Sequence, residues 1–232
     1  MMYKVVLFDL DNTLLKTEDA SVAALSYALK QDGVTVTPEA IISLMGIPGL
    51  EMAKQLGAPN PEKTIAIFNE QIGKEVDLIK PYDGIGAMFT GLHELGVEYG
   101  IVTSKLKRVF DDEMKHFPKI QQIKRVVFSD DTQKHKPNPD PILFGIKKYF
   151  AEMDLKDVLY VGDSLFDMQA AHAAGVDFAN AGWGASQLMI SQRQNMCCKS
   201  LNSFWTSCNG QGNRCEIKWA VEQEAILAAK QP

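Results

Sequence analysis

Two acidic segments of the sequence have residue types and spacing that could bind a metal ion. Asp9 and Asp11 directly follow the apolar run Lys4–Phe8, and Asp163 follows a second apolar run. Carboxylates packed together repel one another, and a hard cation such as Mg²⁺ relieves that repulsion by binding their oxygens. Asp167 lies four residues after Asp163, one helical turn away, so its side chain can support the same site. The alternatives are a solvated acidic turn for the first segment and an acidic helix start for the second.

Two hydroxyl residues and a lysine offer groups that can hold an anion such as phosphate. Thr103 and Ser104 close an apolar run, where a hydroxyl and the N–H groups of a following helix can bind phosphate oxygens. Lys136 precedes three prolines within five residues, and this rigid segment would hold its ammonium group as a point charge. Taken alone, Thr103 is equally an N-cap and Lys136 a solvated lysine. Lys105 and Lys107 are interpreted as a solvated helix face.

The elements that must position these residues follow from the hydrophobic pattern. Apolar runs predict strands at Lys4–Phe8, Glu98–Val102, Arg125–Phe128, Val158–Val161 and Val176–Ala179, and helical patterns follow the middle three at Leu106–His116, Pro139–Phe150 and Leu165–Ala174. This alternation is typical of βαβ units and predicts an α/β protein with a parallel sheet. Because the carboxyl ends of parallel strands line one crevice, we expect the acids, hydroxyls and lysine to meet there.

The stretch between Leu15 and Lys80 has a helical pattern with no strand between its helices. Helix signals occur at Glu18–Gln31, Thr37-Pro38, Gly49–Leu56 and Asn60-Pro61, the last of which predicts a long helix towards Ile79. We interpret the block as a cap inserted into the core, with hinges near Lys16-Thr17 and at Lys80–Gly84. The predicted domains are a core of residues 1–15 and 81–208, a cap of residues 16–80, and a C-terminal extension of open role, 209–232. Within the extension, Glu216–Lys230 predicts an amphipathic helix.

Composition and charge narrow the range of partners. The chain has 232 residues, of which 46% are apolar and 23% charged, so it can bury a core of ordinary size. Its net charge of −5 argues against a nucleic-acid partner. No uncharged apolar run reaches membrane-spanning length, and we expect no membrane partner, a cytoplasmic location and a monomer or homodimer. Four late cysteines are interpreted as reduced thiols: Cys197, Cys198, Cys208 and Cys215.

Taken together, the four motifs resemble those of the haloacid dehalogenase superfamily. The hallmark of that superfamily is an acid pair, a hydroxyl, a lysine and an acid, each at the end of a successive strand. The resemblance covers roughly residues 3 to 185 and is strongest to the phosphoglycolate phosphatase-like branch, including its KPxPDP loop and GDSxxD turn. It implies a Rossmann-like parallel-sheet core with a helical cap domain inserted after the first motif.

The resemblance also implies a cofactor, Mg²⁺, and a role for each motif residue. The implied roles are Asp9 as nucleophile and Mg²⁺ ligand, Asp11 as general acid/base and carbonyl ligand of the metal, Thr103, Ser104 and Lys136 as phosphate-binding residues, Asp163 as Mg²⁺ ligand, and Asp167 as the residue that orients the metal or binds its water.

The implied activity is hydrolysis of a small phosphorylated metabolite, such as phosphoglycolate, through a phosphoaspartate. The acid at Asp11 argues against the dehalogenase and phosphonate-cleaving branches, which lack it. A hexose phosphomutase remains an alternative, although Leu44–Leu50 lacks the arginine that such mutases usually carry in the cap. A pyrophosphatase or nucleotidase fits the same core, and a non-catalytic binding domain is a third possibility that the intact acid set argues against.

Overall fold

A computed structural model of the chain describes residues 3–183, 206–208 and 214–216, which fold around a five-stranded parallel sheet. The strands are β1 (Val5–Phe8), β2 (Leu15–Lys16), β3 (Lys80–Pro81), β4 (Glu98–Val102), β5 (Val126–Val127), β6 (Val158–Gly162), β7 (Asp177–Asn180), β8 (Thr206–Cys208) and β9 (Arg214–Glu216). The main sheet has the order β5-β4-β1-β6-β7, and every neighbouring pair is parallel. The predicted α/β fold class is confirmed, and the five predicted strands are present within one or two residues at each end.

The central strand β1 is buried on both faces because helices cover both sides of the sheet. Val6 and Phe8 contribute to one hydrophobic cluster, and Val5 and Leu7 to another. Alternate side chains of a strand point to opposite faces, so an uninterrupted apolar strand supplies both layers of the core. This arrangement places the residue after Phe8 at the carboxyl edge of the middle of the sheet.

Nine α-helices lie in the described part of the chain. They are α1 (Glu18–Gln31), α2 (Pro38–Ile42), α3 (Gly49–Gln55), α4 (Pro61–Ile72), α5 (Ile85–Glu94), α6 (Lys107–Met114), α7 (Pro118–Gln121), α8 (Asp140–Tyr149) and α9 (Leu165–Ala174). The prediction of a helix continuing towards Ile79 is wrong: α4 ends at Ile72, and Gly73, a poor helix former, follows it. Helix α5 was not predicted, although its buried residues follow helical spacing at Ile85, Met88, Phe89 and Leu92.

Helices α1 to α4 come between β1 and β4 in the chain and share a small core of their own. The buried residues of this core are Leu25, Leu29, Ile41, Ala53 and Ala58. The two places where the chain enters and leaves this block lie side by side, because β2 and β3 pair antiparallel with Lys16 opposite Lys80. We keep the name cap for residues 16–80, whose domain boundaries stay a prediction.

The remaining predictions concern the membrane and the C-terminal segment. Within the residues that the structure describes, no helix combines the length and apolar character needed to cross a membrane. Strands β8 and β9 form an antiparallel pair. The helix predicted at Glu216–Lys230 lies outside the described residues apart from Glu216, which ends β9.

Candidate active site

A buried lysine joins two carboxylates at the carboxyl ends of neighbouring strands. Lys136 Nζ lies 2.7 Å from Asp9 Oδ1 and 2.8 Å from Asp167 Oδ1, and all three residues are buried. Asp9 follows β1 and Asp163 follows β6, and these strands are paired with Phe8 opposite Val161. The predicted nucleophile, lysine and second acidic segment therefore meet at one edge of the sheet.

The cluster is buried and has more negative than positive charge, and both features raise the pKa values of its acids, burial most of all. Burial raises the pKa of Asp9 to about 7; Lys136 opposes this rise, while Asp167 and Asp11 add to it. Burial also raises the pKa of Asp163 well above its usual range, with further contributions from Asp167 and Asp9. Burial alone would lower the pKa of Lys136, but the two neighbouring carboxylates outweigh it and hold that pKa high. A bound cation would relieve this excess of negative charge.

The start of helix α9 fixes the position of Asp167. The Ser164 N–H donates to Asp167 Oδ2 at 3.0 Å, and the Asp167 N–H donates back to Ser164 Oγ at 3.1 Å, which forms a capping box. Tyr160 donates its hydroxyl to Asp167 Oδ1 at 3.1 Å, beside Lys136. Gly162 permits this arrangement, because a Cβ there would lie 2.5 Å from Asp167 Cβ. Both oxygens of Asp167 thus have partners, and the carboxylate holds the ammonium of Lys136 in place.

The acidic cluster fits a hard divalent cation. Asp9, Asp163 and Asp167 each offer a carboxylate oxygen, and these oxygens lie within 4.8 Å of one another. A donor set made only of carboxylate oxygens suits Mg²⁺ better than a soft transition metal. The carboxylates of this cluster include the predicted ligands Asp9 and Asp163 and the predicted supporting residue Asp167. The predicted metal contact of the Asp11 backbone carbonyl stays a prediction.

The side chain of Asp11 is held by a lysine that sequence reasoning misread. Lys105 Nζ lies 3.1 Å from Asp11 Oδ1 and 3.0 Å from Glu113 Oε1. The prediction that Lys105 lies on a solvated helix face is wrong, because it precedes α6 and its side chain is only 13% exposed. Lys107 does lie on that face, where it pairs with Asp111.

A signal for this pairing is present in α6. Glu113 is buried, and it falls on the same helix face as Phe110 and beside Met114. Burial raises the pKa of Glu113, and Lys105 opposes that rise. A glutamate on an apolar helix face needs a cationic partner, since an unpaired buried charge is costly. Helical spacing could therefore have indicated that Glu113 is buried and has a cationic partner, although not which lysine supplies it.

The predicted hydroxyl residues lie at the same edge but make different contacts. Thr103 is buried after β4, and its Oγ1 accepts from the Lys105 N–H at 3.1 Å. Ser104 donates its hydroxyl to the carbonyl of Gly46, in the cap, at 2.8 Å. Thr13 was not singled out from the sequence, yet its hydroxyl donates to Asp163 Oδ1 at 3.1 Å. The Thr103 hydroxyl is thus bonded within its own loop, whereas the Ser104 hydroxyl joins core to cap.

A cavity of about 500 Å³ lies between the cap and the core and contains the site. Asp9, Asp11 and Asp163 line it from the core, and residues of α1 to α4 and of the loop between α2 and α3 line it from the cap. Beside the Ser104–Gly46 contact, Asn12 Nδ2 lies 3.5 Å from Met45 Sδ, so the cap loop rests on the loop after β1. The predicted nucleophile, Asp9, and the predicted acid/base, Asp11, therefore face one cavity of metabolite size.

Comparison with known proteins agrees with this geometry. A family described as haloacid dehalogenase-like hydrolase matches residues 6–181. Pyrophosphatase PpaX of Halalkalibacterium halodurans is 28% identical over 186 residues, which cover 79% of this chain and 85% of that protein. Phosphoglycolate phosphatase 1 of Pseudomonas aeruginosa is 27% identical over 78% of this chain and 70% of its own length. A crystal structure from Lactobacillus plantarum superposes with a TM-score of 0.75 at 28% identity, covering 84% of this chain and 94% of that one.

Proposed function

Because this chain belongs to the haloacid dehalogenase-like hydrolase family, we propose that it is a Mg²⁺-dependent phosphatase that hydrolyses a small phosphomonoester through a phosphoaspartate on Asp9. The observation that carries the proposal is the contact of Lys136 with both Asp9 and Asp167 beside Asp163, where Asp9 and Asp163 line the cavity between cap and core. Its phosphatase relatives support hydrolysis of a phosphoric monoester bond as the class of reaction.

In the first step, a carboxylate oxygen of Asp9 attacks phosphorus and the bond from phosphorus to the ester oxygen breaks. Asp11 gives its proton to that leaving oxygen, so an alcohol departs. In the second step, water attacks phosphorus, passes its proton to Asp11, and frees both phosphate and the Asp9 carboxylate. Lys136 stabilises charge on the transferring group throughout. Mg²⁺, held by Asp9 and Asp163 with Asp167 at the same cluster, would neutralise phosphate charge.

The contact of Lys105 with Asp11 leads to a prediction about leaving groups. Without Lys105, the Asp11 carboxyl loses the ion pair that holds its side chain in position. Lys105→Met should lower kcat/KM for an alkyl phosphate by roughly 10- to 100-fold, since that leaving group needs a proton. The loss for 4-nitrophenyl phosphate should be within about threefold, because its phenolate leaves without protonation. Steady-state assays of each ester give the ratio of kcat/KM in the variant to kcat/KM in the unmodified protein.

Two control variants make this result specific. Lys107→Met removes a nearby lysine whose ion pair is exposed, and it should leave both ratios unchanged. Lys105→Arg keeps the charge and should restore part of the alkyl phosphate activity. Equal losses for both esters in Lys105→Met would show a general disturbance of the site rather than a role in orienting Asp11.

A phosphomutase needs a second anion site, and the cavity argues against one. In the cap, which the structure describes throughout, the residues that line the cavity include no lysine, arginine or histidine. A substrate with two phosphates would bring its second phosphate to this uncharged side. We therefore favour a phosphatase over the mutase, while the cytoplasmic location and the monomeric or homodimeric state stay predictions.

A substrate panel tests the proposal. The purified protein with Mg²⁺ is assayed with phosphoglycolate, a sugar phosphate, a nucleoside monophosphate and a phosphopeptide at equal concentration. At least one of the small esters should be turned over, whereas the phosphopeptide should not, because a cap that closes over the cavity leaves no room for a polymer. A phosphopeptide with the highest kcat/KM would contradict the closed-cap interpretation, and absence of turnover of every ester would contradict the phosphatase itself.

A further inference from the structure

The cap side of the active-site cavity is apolar and carries no charge. Its lining includes Leu25, Ile41, Leu50, Ile65 and Phe68. Its polar side chains, Thr17, Ser21 and Asn69, are neutral groups that can exchange hydrogen bonds with a hydroxyl. Any part of a substrate that extends from the phosphoryl group into the cap therefore meets hydrocarbon and a few neutral hydrogen-bonding groups.

The core side of the cavity is acidic. Asp9, Asp11, Asp130 and Asp163 line it, and among the described lining residues the side chains that can carry positive charge are Lys105 and His135. The ammonium of Lys105 is already shared by Asp11 and Glu113. Lys136 and the proposed metal serve the transferring phosphoryl group. Among the described lining residues, this leaves His135 as the only side chain that could carry a positive charge beside a second anionic group of the substrate. Four carboxylates line the same side of the cavity, so desolvating a second anion there is costly.

From these observations, we propose that the leaving group of the substrate is an uncharged alcohol with an apolar or aromatic body. The inference rests on the proposed phosphatase function and names the substrate class of the same site. A cavity of about 500 Å³ is large enough for a body of several carbon atoms beside the phosphate. Pyrophosphate and phosphoglycolate, which the names of two relatives specify, each carry a second anionic group and fit this cavity less well.

Three phosphate esters separate charge from size in a direct test. Phosphoglycolate and 2-hydroxyethyl phosphate have nearly the same size and differ by one carboxylate, and 2-phenylethyl phosphate adds an aromatic body. We expect kcat/KM to rise in that order, with 2-phenylethyl phosphate at least about tenfold above phosphoglycolate. A higher kcat/KM for phosphoglycolate than for the two esters of uncharged alcohols would overturn the inference and leave the phosphatase proposal standing. Failure to hydrolyse any of the three would overturn both.

A matched pair of variants tests the apolar cap side of the cavity. Leu50 lines the cavity and is 38% exposed, and Leu143, on α8, is 39% exposed and does not line it. Both positions should accept arginine without loss of the fold, and both changes add the same charge. Leu50→Arg should raise the ratio of kcat/KM for phosphoglycolate to that for 2-hydroxyethyl phosphate by about tenfold, whereas Leu143→Arg should leave it unchanged. Equal ratios in the two folded variants would overturn the inference.

Discussion

Replacing Asp9 by asparagine should reduce steady-state turnover by at least about a thousandfold while the protein keeps its fold. An amide oxygen is a poor nucleophile and cannot form the acyl phosphate that the proposed first step requires. The asparagine side chain is almost the same size as that of aspartate. It therefore fills the same buried position beside Lys136. Turnover of a small phosphate ester with Mg²⁺ measures the effect, and circular dichroism verifies the fold.

The matched control is Asp112→Asn on α6, where an exposed acid pairs with Lys115. This variant makes the same chemical change outside the site and should keep full activity. Rapid quenching with a labelled ester should trap phosphate on the unmodified protein and on Asp112→Asn, and not on Asp9→Asn. Appreciable steady-state hydrolysis by pure Asp9→Asn would exclude Asp9 as the nucleophile.

Removal of divalent metal should have an effect of similar size. Chelation should abolish turnover and Mg²⁺ should restore it, because the carboxylates of Asp9, Asp163 and Asp167 then regain a counter-charge. The need for a counter-charge is strong because burial raises the pKa values of Asp9 and Asp163. Ca²⁺ should restore little activity, because its larger and looser coordination shell would misplace Asp9 relative to phosphorus. Full activity in excess chelator would contradict the metal assignment.

A binding measurement separates the metal site from catalysis. Mg²⁺ at about 100 times its dissociation constant should stabilise the folded protein by about 2.7 kcal/mol, which appears as a rise in Tm. Asp163→Asn removes one carboxylate of the cluster and should reduce that rise, whereas Asp111→Asn, in an exposed ion pair, should retain it. An equal rise in Tm for both variants would place the metal elsewhere.

Most of the fold was predictable because its signals are local. Periodicity and capping act over one or two turns, so β4 and the helix α9 were predicted at the bounds that the structure shows. The prediction of a long helix towards Ile79 was wrong because two local signals conflicted. The periodic pattern favoured a longer helix, whereas Gly73 disfavours helix, and α4 ends at Ile72. Helix α5, between the cap and β4, was not predicted, although its apolar residues recur at helical spacing in the sequence.

The sequence could also predict that the candidate residues meet at one edge of the sheet, because they lie in the segments that follow strand ends and parallel strands place those ends together. Their roles stay predictions. Their contacts could not be predicted. Lys136 and Asp9 are separated by 127 residues in the chain and lie 2.7 Å apart, and no local pattern could have chosen Asp167 as the second partner of Lys136.

By itself, the sequence determined the elements of the fold, the order of the motifs and the chemical types of the residues at the strand ends, since these depend on neighbouring residues. Tertiary structure alone decided which charged groups pair and what surrounds them. Lys105 is buried because Glu113 and Asp11 reach it from different elements, and its own sequence neighbours suggested solvent. The uncharged cap side of the cavity likewise exists only where residues of α1 to α4 meet over the core, because a cavity lining is set by packing between distant segments.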